Sequence, residues 1–307
     1  MSFEVFVLGT SGMMPLPGRF LTSAMLRREG ELFLFDCGEG TQVSLKMLNL
    51  HWKKISTIFI SHMHADHVTG LPGLLMLTSQ VERNDPLYIY GPPKLQEYID
   101  DNRRILDMYI NYEIIVRTVT AGTILETPDY TVQAVPLLHS KPCFGYVFKE
   151  NDRKGEFFPD KAKALGIPMG KLWGTLQSGQ SITLDDGRTI NPSDVMGSPR
   201  SGRKFSYITD TMYLDYIAES VKDSDLLLCE GMFTNDLLSD AREKKHMLSS
   251  QAATIALNAN AKKMGLIHYS PRYSDKELRK LKEEACAIYP GTILCKDRMH
   301  FDIPLKD

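Results

Sequence analysis

Short apolar runs, rich in β-branched and aromatic residues, recur along the chain and end at glycine, proline or charged residues. Runs of this kind are typical of buried β-strands, whereas apolar residues spaced three or four positions apart indicate helices. The predicted strands lie within 4–12, in a hairpin within 23–42 that turns at 29–30, and at 55–60, 86–93, 130–137, 145–150, 204–210, 225–230, 263–270 and 292–297. The predicted helices are 41–50, 70–81, 94–106, 247–261 and 274–287.

The order of these elements predicts the fold class. Strands dominate the first part of the chain, and strands and helices alternate in the later part. Because the apolar face of a sheet must be covered, this order favours an α/β fold with sheets inside and helices outside. A length of 307 residues suffices for one large domain or two ordinary ones.

One segment, residues 150–203, interrupts the alternation. It is rich in Gly, Pro, Lys and Asp and has few strand signals. Two interpretations stay open: a long surface insertion that is partly disordered, or a protruding arm that binds substrate. Long irregular segments in compact domains are often functional, and this is the reason to retain the second interpretation.

Composition narrows the class of protein. Hydrophobic residues make up 43% and charged residues 24%, as in globular proteins, and no apolar stretch reaches the roughly 18 residues of a membrane span. The N-terminal residues lack the features of a signal peptide, so we expect a cytoplasmic protein. The five scattered cysteines indicate buried or free thiols, not disulfides. Because the net charge is −2, any surface that binds nucleic acid has to be a local patch of positive charge.

The histidines suggest the chemistry. Three of the eight lie with one aspartate in His62-Met63-His64-Ala65-Asp66-His67, directly after a predicted strand. In extended chain, residues two apart point the same way, so His62 and His64 can share one metal ion. The following turn can direct Asp66 and His67 to a neighbouring point. Imidazole and carboxylate are good zinc ligands, and burying so many polar groups without a metal is costly.

Further ligands are expected at other strand ends. His139, Asp210 and His268 each follow an apolar run, and strand ends meet at one rim of a layered α/β fold. Together with the histidine-rich run they form seven groups, enough for two metal ions with Asp210 between them. His51 and His300 lack this setting, and we interpret them as surface or packing residues.

The motif His62-x-His64-x-Asp66-His67, with the three later ligands, resembles the metallo-β-lactamase superfamily. Within it the chain is most similar to the ribonuclease Z family of tRNA 3′-processing endoribonucleases. The likeness extends from Val7 to about Tyr273. It is carried by LFDCGEGTQ (34–42), SHMHADHVTGLPGLL (61–75), GIPMGKLWGTLQSG (166–179) and LIHYSPRY (266–273).

This resemblance implies a single αββα sandwich over 1–307 with an inserted tRNA-binding arm at about 150–176. It implies two Zn²⁺ ions per subunit, with Mn²⁺ or another divalent ion as a further possibility, and a homodimer acting on precursor tRNA. The implied ligands are His62, His64 and His139 for the first ion, and Asp66, His67 and His268 for the second, bridged by Asp210. The substrate-binding candidates are Arg19, Lys154, Lys161, Lys163 and Lys171.

Two residues are candidates for proton transfer. Asp66 can orient the attacking water and accept its proton. His246 in AREKKHMLSSQAA matches the family's catalytic histidine, and an imidazole is suited to protonate the leaving 3′ oxygen. Glu230, at the end of DLLLCE, is a candidate to orient His246.

The chain departs from the family pattern at Phe20, Lys171, Met247 and Leu248. These differences leave two alternatives to tRNA processing. One is a phosphodiesterase of the same superfamily that acts on cyclic nucleotides or other small phosphodiesters. The other is a non-catalytic, metal-stabilised RNA-binding protein, which would require an incomplete ligand set, whereas all seven ligands are present.

Overall fold

Strand β1 (Phe3–Gly9) shows how the sequence produces layers. Phe3, Val5 and Val7 pack into one buried cluster, and the alternating residues Phe6 and Leu8 pack into another. Successive side chains of a strand point to opposite faces, so both faces of this strand are covered. The same double burial explains why its sequence is continuously apolar.

The computed structural model describes residues 2–81 and 83–305. By contacts, the chain divides into two compact units, one formed by the residues up to Lys149 with Arg203–Pro304, the other by Glu150–Gly202. In the described residues, the first unit has two seven-stranded sheets.

The first sheet has the strand order β16-β1-β2-β3-β4-β5-β6. Neighbouring strands from β3 to β6 are parallel. The pairs β16–β1, β1–β2 and β2–β3 are antiparallel. Besides β1, its strands are β2 (Ser23–Arg28), β3 (Glu31–Phe35), β4 (Ile55–Phe59), β5 (Leu87–Gly91), β6 (Ile114–Thr118) and β16 (His300–Asp302).

The second sheet has the order β15-β14-β13-β12-β9-β8-β7. Strands β12 to β15 are parallel, whereas β12 pairs antiparallel with β9, and β7 with β8. Its strands are β7 (Gly122–Glu126), β8 (Tyr130–Leu138), β9 (Pro142–Glu150), β12 (Lys204–Ile208), β13 (Leu226–Glu230), β14 (Met264–Ile267) and β15 (Thr292–Leu294).

Helices cover the outer faces of both sheets. The helices of this unit are α1 (Thr41–Met47), α2 (Ala65–Val68), α3 (Leu71–Ser79), α4 (Leu95–Ile105), α8 (Tyr216–Ser220), α9 (Leu238–Lys244), α10 (Ser249–Asn258) and α11 (Leu278–Cys286), with short 3₁₀ turns at Trp52–Lys54 and Asn235–Leu237. Residues of α1, α3 and α4 join one outer cluster, and residues of α10 and α11 join the other. The layers are therefore helix, sheet, sheet, helix, which confirms the predicted α/β sandwich.

Aromatic side chains form much of the core between the sheets. The ring of Phe35 lies 5.1 Å from that of Phe59 in the first sheet, and 5.2 Å and 5.7 Å from Phe205 and Tyr207 in the second. Aromatic pairs at such distances add packing energy to the burial of their apolar area. This contact fixes the ends of β3, β4 and β12 against one another, which is where the predicted ligands follow in sequence.

The second unit is ordered, and the interpretation of 150–203 as partly disordered is wrong. It contains α5 (Pro159–Ala164), α6 (Lys171–Gln177), α7 (Pro192–Val195) and a hairpin of β10 (Ile182–Thr183) and β11 (Thr189–Ile190). Aliphatic residues form a core within this unit: Ala162, Ile167, Leu176, Ile182, Ile190 and Val195. These residues are widely spaced between charges and turns, so no strong periodic signal marks them in the sequence.

Each predicted strand and helix of the first unit is present, with ends that shift by a few residues. The strands that sequence reasoning missed there are β6, β7 and β16, which lie at sheet edges. Cys37, Cys143, Cys229 and Cys295 are buried and all five thiols are free, as predicted. In the part of the chain that the structure describes, no helix has both the length and the apolar composition needed to span a membrane.

Candidate metal centre and active site

The seven predicted ligands meet at one edge of the two sheets. His62 follows β4, and His139 lies in the turn between β8 and β9. Asp210 and His268 follow β12 and β14, which run parallel to β13 between them, so their carboxyl ends lie side by side. The prediction that separate strand ends assemble these side chains is confirmed.

The motif 62–67 changes conformation midway. His64 has extended backbone angles, and α2 begins at the next residue and carries Asp66 and His67. The Nε2 atom of His62 lies 2.9 Å from Nδ1 of His64, so these two side chains converge as the spacing predicted. The helical turn directs Asp66 and His67 toward His268, whose Nε2 atom lies 3.3 Å from both Nε2 of His67 and Oδ2 of Asp66.

The ligand atoms form two adjoining groups. Those of His62, His64, His139 and Asp210 lie within 4.8 Å of one another, as do those of Asp66, His67 and His268. Asp210 contacts both groups. Its Oδ2 atom is 3.6 Å from His62 and 3.7 Å from His139, and its Oδ1 atom is 3.4 Å from His67 and 3.2 Å from His268.

The electrostatics keep most of these groups in the form that binds a cation. Burial lowers the pKa of His62, His64 and His139, so each offers a nitrogen lone pair at neutral pH. Burial raises the pKa of Asp66 and Asp210, but the neighbouring imidazoles outweigh it and hold both pKa values well below the ordinary range. Both side chains are therefore carboxylates.

His67 behaves differently. Burial lowers its pKa, but the carboxylates of Asp210, Asp36 and Asp66 outweigh burial and raise the pKa well above its ordinary value. A proton on this ring competes with a cation for the same nitrogen, so metal binding at this position releases a proton.

The donor set fits divalent cations. Nδ1 of His64 lies 2.9 Å and 3.1 Å from the Nε2 atoms of His62 and His139. Two ring nitrogens at such a distance can hold at most one proton between them, so lone pairs face the space between these rings. Nδ1 of His268 is buried and has no hydrogen-bond partner among the described residues, and this residue has a positive φ of 59°. Such strain costs about 1–3 kcal/mol and is usually found at functional sites.

Gly12 makes room for His268. A Cβ atom at this position would lie 2.7 Å from Cε1 of the imidazole, closer than real contacts allow. A side chain here would displace the ring from the other ligand atoms.

Asp36 supports the centre, and sequence reasoning did not assign it a role. It is fully buried directly after β3, and its Oδ2 atom lies 2.7 Å from Nδ1 of His67. It also accepts hydrogen bonds from the Ser61 backbone and hydroxyl and from the Tyr207 hydroxyl. Its sequence signals are its position in the turn after a buried strand and its place in the segment LFDCGEGTQ (34–42). A carboxylate behind a ligating histidine fixes the orientation of the ring.

His246 lies beside the centre and contacts Glu230, as proposed from the sequence. Its Nδ1 atom is 3.2 Å from Oε1 of Glu230, and its Nε2 atom is 4.0 Å from Oδ2 of Asp210. Burial lowers the pKa of His246, but Glu230 and Asp210 outweigh it and raise the pKa to about 9. The imidazole is therefore protonated at neutral pH. Its ring also groups with Asp210 and His268 as a possible third ligand set.

Glu230 is anchored by the residues around it. Its carboxylate accepts backbone hydrogen bonds from Thr211 and Met247. The side chains of Met247 and Leu248, where the sequence departs from the family pattern, are buried in two apolar clusters. These two side chains therefore act in packing, while the Met247 backbone still donates to Glu230.

The predicted substrate residues lie outside the ligand cluster. Arg19 is mostly buried, and its Nη2 atom donates to the Tyr273 carbonyl at 2.6 Å. The predicted arm lysines are exposed side chains of the second unit: Lys154, Lys161, Lys163 and Lys171. His51 is exposed, and His300 stacks on Phe6 at 4.6 Å, so the interpretation of both as surface or packing residues is confirmed.

The two-sheet sandwich with a histidine- and aspartate-rich centre at the strand ends defines the metal-dependent hydrolases of the metallo-β-lactamase fold. Comparisons with known proteins agree. Residues 175–269 match the family model described as a beta-lactamase superfamily domain. Residues 3–152 match the model described as anti-Pycsar protein Apyc1.

Full-length relatives narrow this class. The chain is 58% identical over 308 residues to a ribonuclease Z of Treponema denticola, covering 100% of both chains. It is 56% identical to a ribonuclease Z of Treponema pallidum, covering 100% of this chain and 99% of the relative. The crystal structure of human tRNase Z, short form, superposes with a TM-score of 0.71 at 26% identity, covering 98% of this chain and 100% of that one.

The chain belongs to the ribonuclease Z family. It is accordingly an endoribonuclease, a hydrolase of phosphodiester bonds in RNA. The resemblance inferred from its motifs is thereby confirmed.

Replacing Asp36 by Asn should weaken metal binding about 10- to 100-fold, the usual effect of losing a carboxylate behind a ligating histidine. The amide leaves the shape nearly unchanged but removes the charge that faces Nδ1 of His67. Competition with a chelator would measure the affinity. Asp129→Asn, at an exposed aspartate between β7 and β8, is the matched control. Equal affinity of the two variants would show that Asp36 does not support the centre.

Proposed function

We propose that this endoribonuclease is zinc-dependent and removes the 3′ trailer from precursor tRNA. The cut leaves a 3′-hydroxyl on the tRNA and a 5′-phosphate on the trailer. One observation carries the proposal: Asp210 directs one carboxylate oxygen to each of two ligand groups, and the Glu230–His246 pair adjoins them. This arrangement combines a two-cation site with a proton donor. The names ribonuclease Z and tRNase Z of the similar proteins support the choice of tRNA.

We assign His62, His64 and His139 to one Zn²⁺ ion, and Asp66, His67 and His268 to a second, with Asp210 between them. The grouping of ligand atoms within 4.8 Å supports this assignment. Histidine nitrogen and carboxylate oxygen are typical zinc donors, although Mn²⁺ accepts the same set. The chemistry that such ions supply when bound is a lowered pKa of the attacking water and stabilisation of charge on the reacting phosphate.

The chain's own residues would move the protons. The Asp66 carboxylate can orient the attacking water and accept a proton from it, while the water oxygen forms the new bond to phosphorus. The bond between phosphorus and the 3′ oxygen breaks, and Nε2 of His246 donates a proton to that oxygen. The raised pKa of His246 supports this role because the donor has to be protonated beforehand. Its contact with Glu230 favours proton donation over the alternative of metal ligation.

Recognition of the precursor tRNA is assigned to Arg19 and to the second unit. We propose that Lys154, Lys161, Lys163 and Lys171 of the arm at about 150–176 contact phosphates, as exposed lysines can. We also propose a cytoplasmic homodimer, in which the arm serves the partner's site. The mass of the protein in solution, measured by light scattering, tests the dimer.

Incubation of the zinc-loaded protein with a 3′-extended precursor tRNA should give a single cut next to the discriminator nucleotide. Asp66→Ala should abolish the cut because it removes both a ligand and the proton acceptor. Mapping of both ends at nucleotide resolution would identify the 3′-hydroxyl and the 5′-phosphate. Loading with Mn²⁺ in parallel would test the choice of metal.

The alternative of a small-molecule phosphodiesterase predicts another outcome. The wild type would then hydrolyse bis(p-nitrophenyl) phosphate or a cyclic nucleotide efficiently and leave the precursor tRNA intact. That result would contradict tRNA processing while retaining the metal centre.

Neutralising two arm lysines, Lys154→Gln with Lys171→Gln, should raise KM for precursor tRNA. It should also reduce the slope of log affinity against log salt by about 1.8, about 0.9 for each lost phosphate contact. Lys53→Gln with Lys54→Gln, which changes the charge of the first unit by the same amount, is the control. Identical salt slopes for both double variants would argue against the arm as a tRNA-binding element.

The pH dependence tests His246. As a proton donor, His246 should make kcat fall as pH rises through its pKa of about 9. Glu230→Gln removes a charge that raises this pKa, so the decline should begin at lower pH, and Glu230→Asp should restore part of the difference. With bis(p-nitrophenyl) phosphate the decline should disappear, because p-nitrophenolate leaves without a proton. An unchanged pH profile in Glu230→Gln would exclude the pair from proton transfer.

A further inference from the structure

A basic cavity of about 550 Å³ lies in the first unit, outside the ligand cluster. Its volume is within the range of small-ligand pockets, about 300–1,000 Å³. Six basic side chains line it: Arg19, Lys276, Arg279, Lys282, Lys296 and Arg298. Of these, sequence reasoning had assigned a substrate role only to Arg19.

Two acidic residues also line the cavity, so its six basic side chains leave a formal excess of four positive charges. Asp297 is engaged locally, since its two carboxylate oxygens accept hydrogen bonds from the Thr10 hydroxyl and the Phe20 backbone. Asp275 lies 3.7 Å from Nε of Arg19 but is 91% exposed, so solvent screens the pair. The cavity is therefore a local excess of positive charge on a chain whose net charge is −2.

Arg19 has one donor atom that the described residues leave unsatisfied. Its side chain is only 12% exposed, and its Nη1 atom is buried without a hydrogen-bond partner within the described residues. A buried guanidinium nitrogen that lacks an acceptor is costly. Arg19 lines the cavity, and the planar guanidinium of arginine is well suited to bind phosphate.

The cavity is connected to the active site by one short segment. At one end of the segment the Met13 backbone donates to Oδ2 of Asp66 at 2.6 Å. The Gly12 backbone donates to the carbonyl of Tyr269, the residue after His268. At the other end the chain reaches Gly18 and Arg19, and both line the cavity, as does Tyr269. The cavity and the active site therefore share two stretches of chain, 12–19 and 268–269.

We propose that this cavity binds backbone phosphates of the RNA substrate beyond the scissile bond. This inference rests on the proposed function, because it needs an RNA that occupies the active site. The recognised chemistry is the phosphodiester. It is provided by two parts of a precursor tRNA, the single-stranded trailer and the body of the tRNA.

The test replaces two exposed lysines of the cavity, Lys282→Gln with Lys296→Gln. Binding is measured by fluorescence anisotropy over a range of salt concentrations, with a single-stranded trailer oligonucleotide and with mature tRNA as separate ligands. The control is Lys53→Gln with Lys54→Gln, which matches the change in charge. Thermal unfolding of both variants checks that the fold is retained.

We expect the cavity variant to reduce the salt slope for the trailer by about 1.4, about 0.7 for each phosphate contact of a single strand. A reduced slope for mature tRNA instead would support the cavity as a phosphate site and identify the tRNA body as its source. Slopes equal to those of the control variant for both RNAs would overturn the inference. Binding is measured without cleavage, so failure of the proposed function would appear separately, as wild-type protein that does not cut precursor tRNA.

Discussion

The carboxylate of Asp36 connects the two sheets at the point where the centre is built. Asp36 directly follows β3 of the first sheet, and its carboxylate accepts a hydrogen bond from Tyr207 of the second sheet while contacting His67 and Ser61. A buried carboxylate is tolerated only when its oxygens are satisfied, and removing one partner of a buried pair costs about 3–5 kcal/mol. The position of His67, and with it the second ligand group, depends on this interaction.

The chain after β4 is held to the second sheet by further bonds. The Tyr146 hydroxyl donates to the Ile60 carbonyl, and the Phe144 backbone donates to the Ser61 carbonyl. Both bonds immediately precede His62. The histidine motif therefore follows a backbone segment that is hydrogen-bonded to β9 of the second sheet. A preorganised metal site requires rigid support of this kind.

Charge is distributed unevenly in the molecule. Asp66 and Asp210 provide negative charge at the centre, whereas lysines and arginines surround the adjacent cavity. This separation suits a reaction in which cations bind at one point and a polyanion extends from it. It also explains why a net charge of −2 is compatible with an RNA substrate.

The sequence by itself determined the layered fold, the motif 62–67 and the candidate ligands His139, Asp210 and His268, because buried strands and their polar ends leave strong local signals. The core of the second unit left no such signal, since Ala162, Leu176 and Val195 are scattered among polar residues. The role of Asp36 and the neighbours of Arg19 were decided only by the tertiary structure. The hydrogen-bond partners of these two side chains lie between 25 and 254 residues away in the chain, and no periodicity along the sequence encodes which strand ends and loops are brought together.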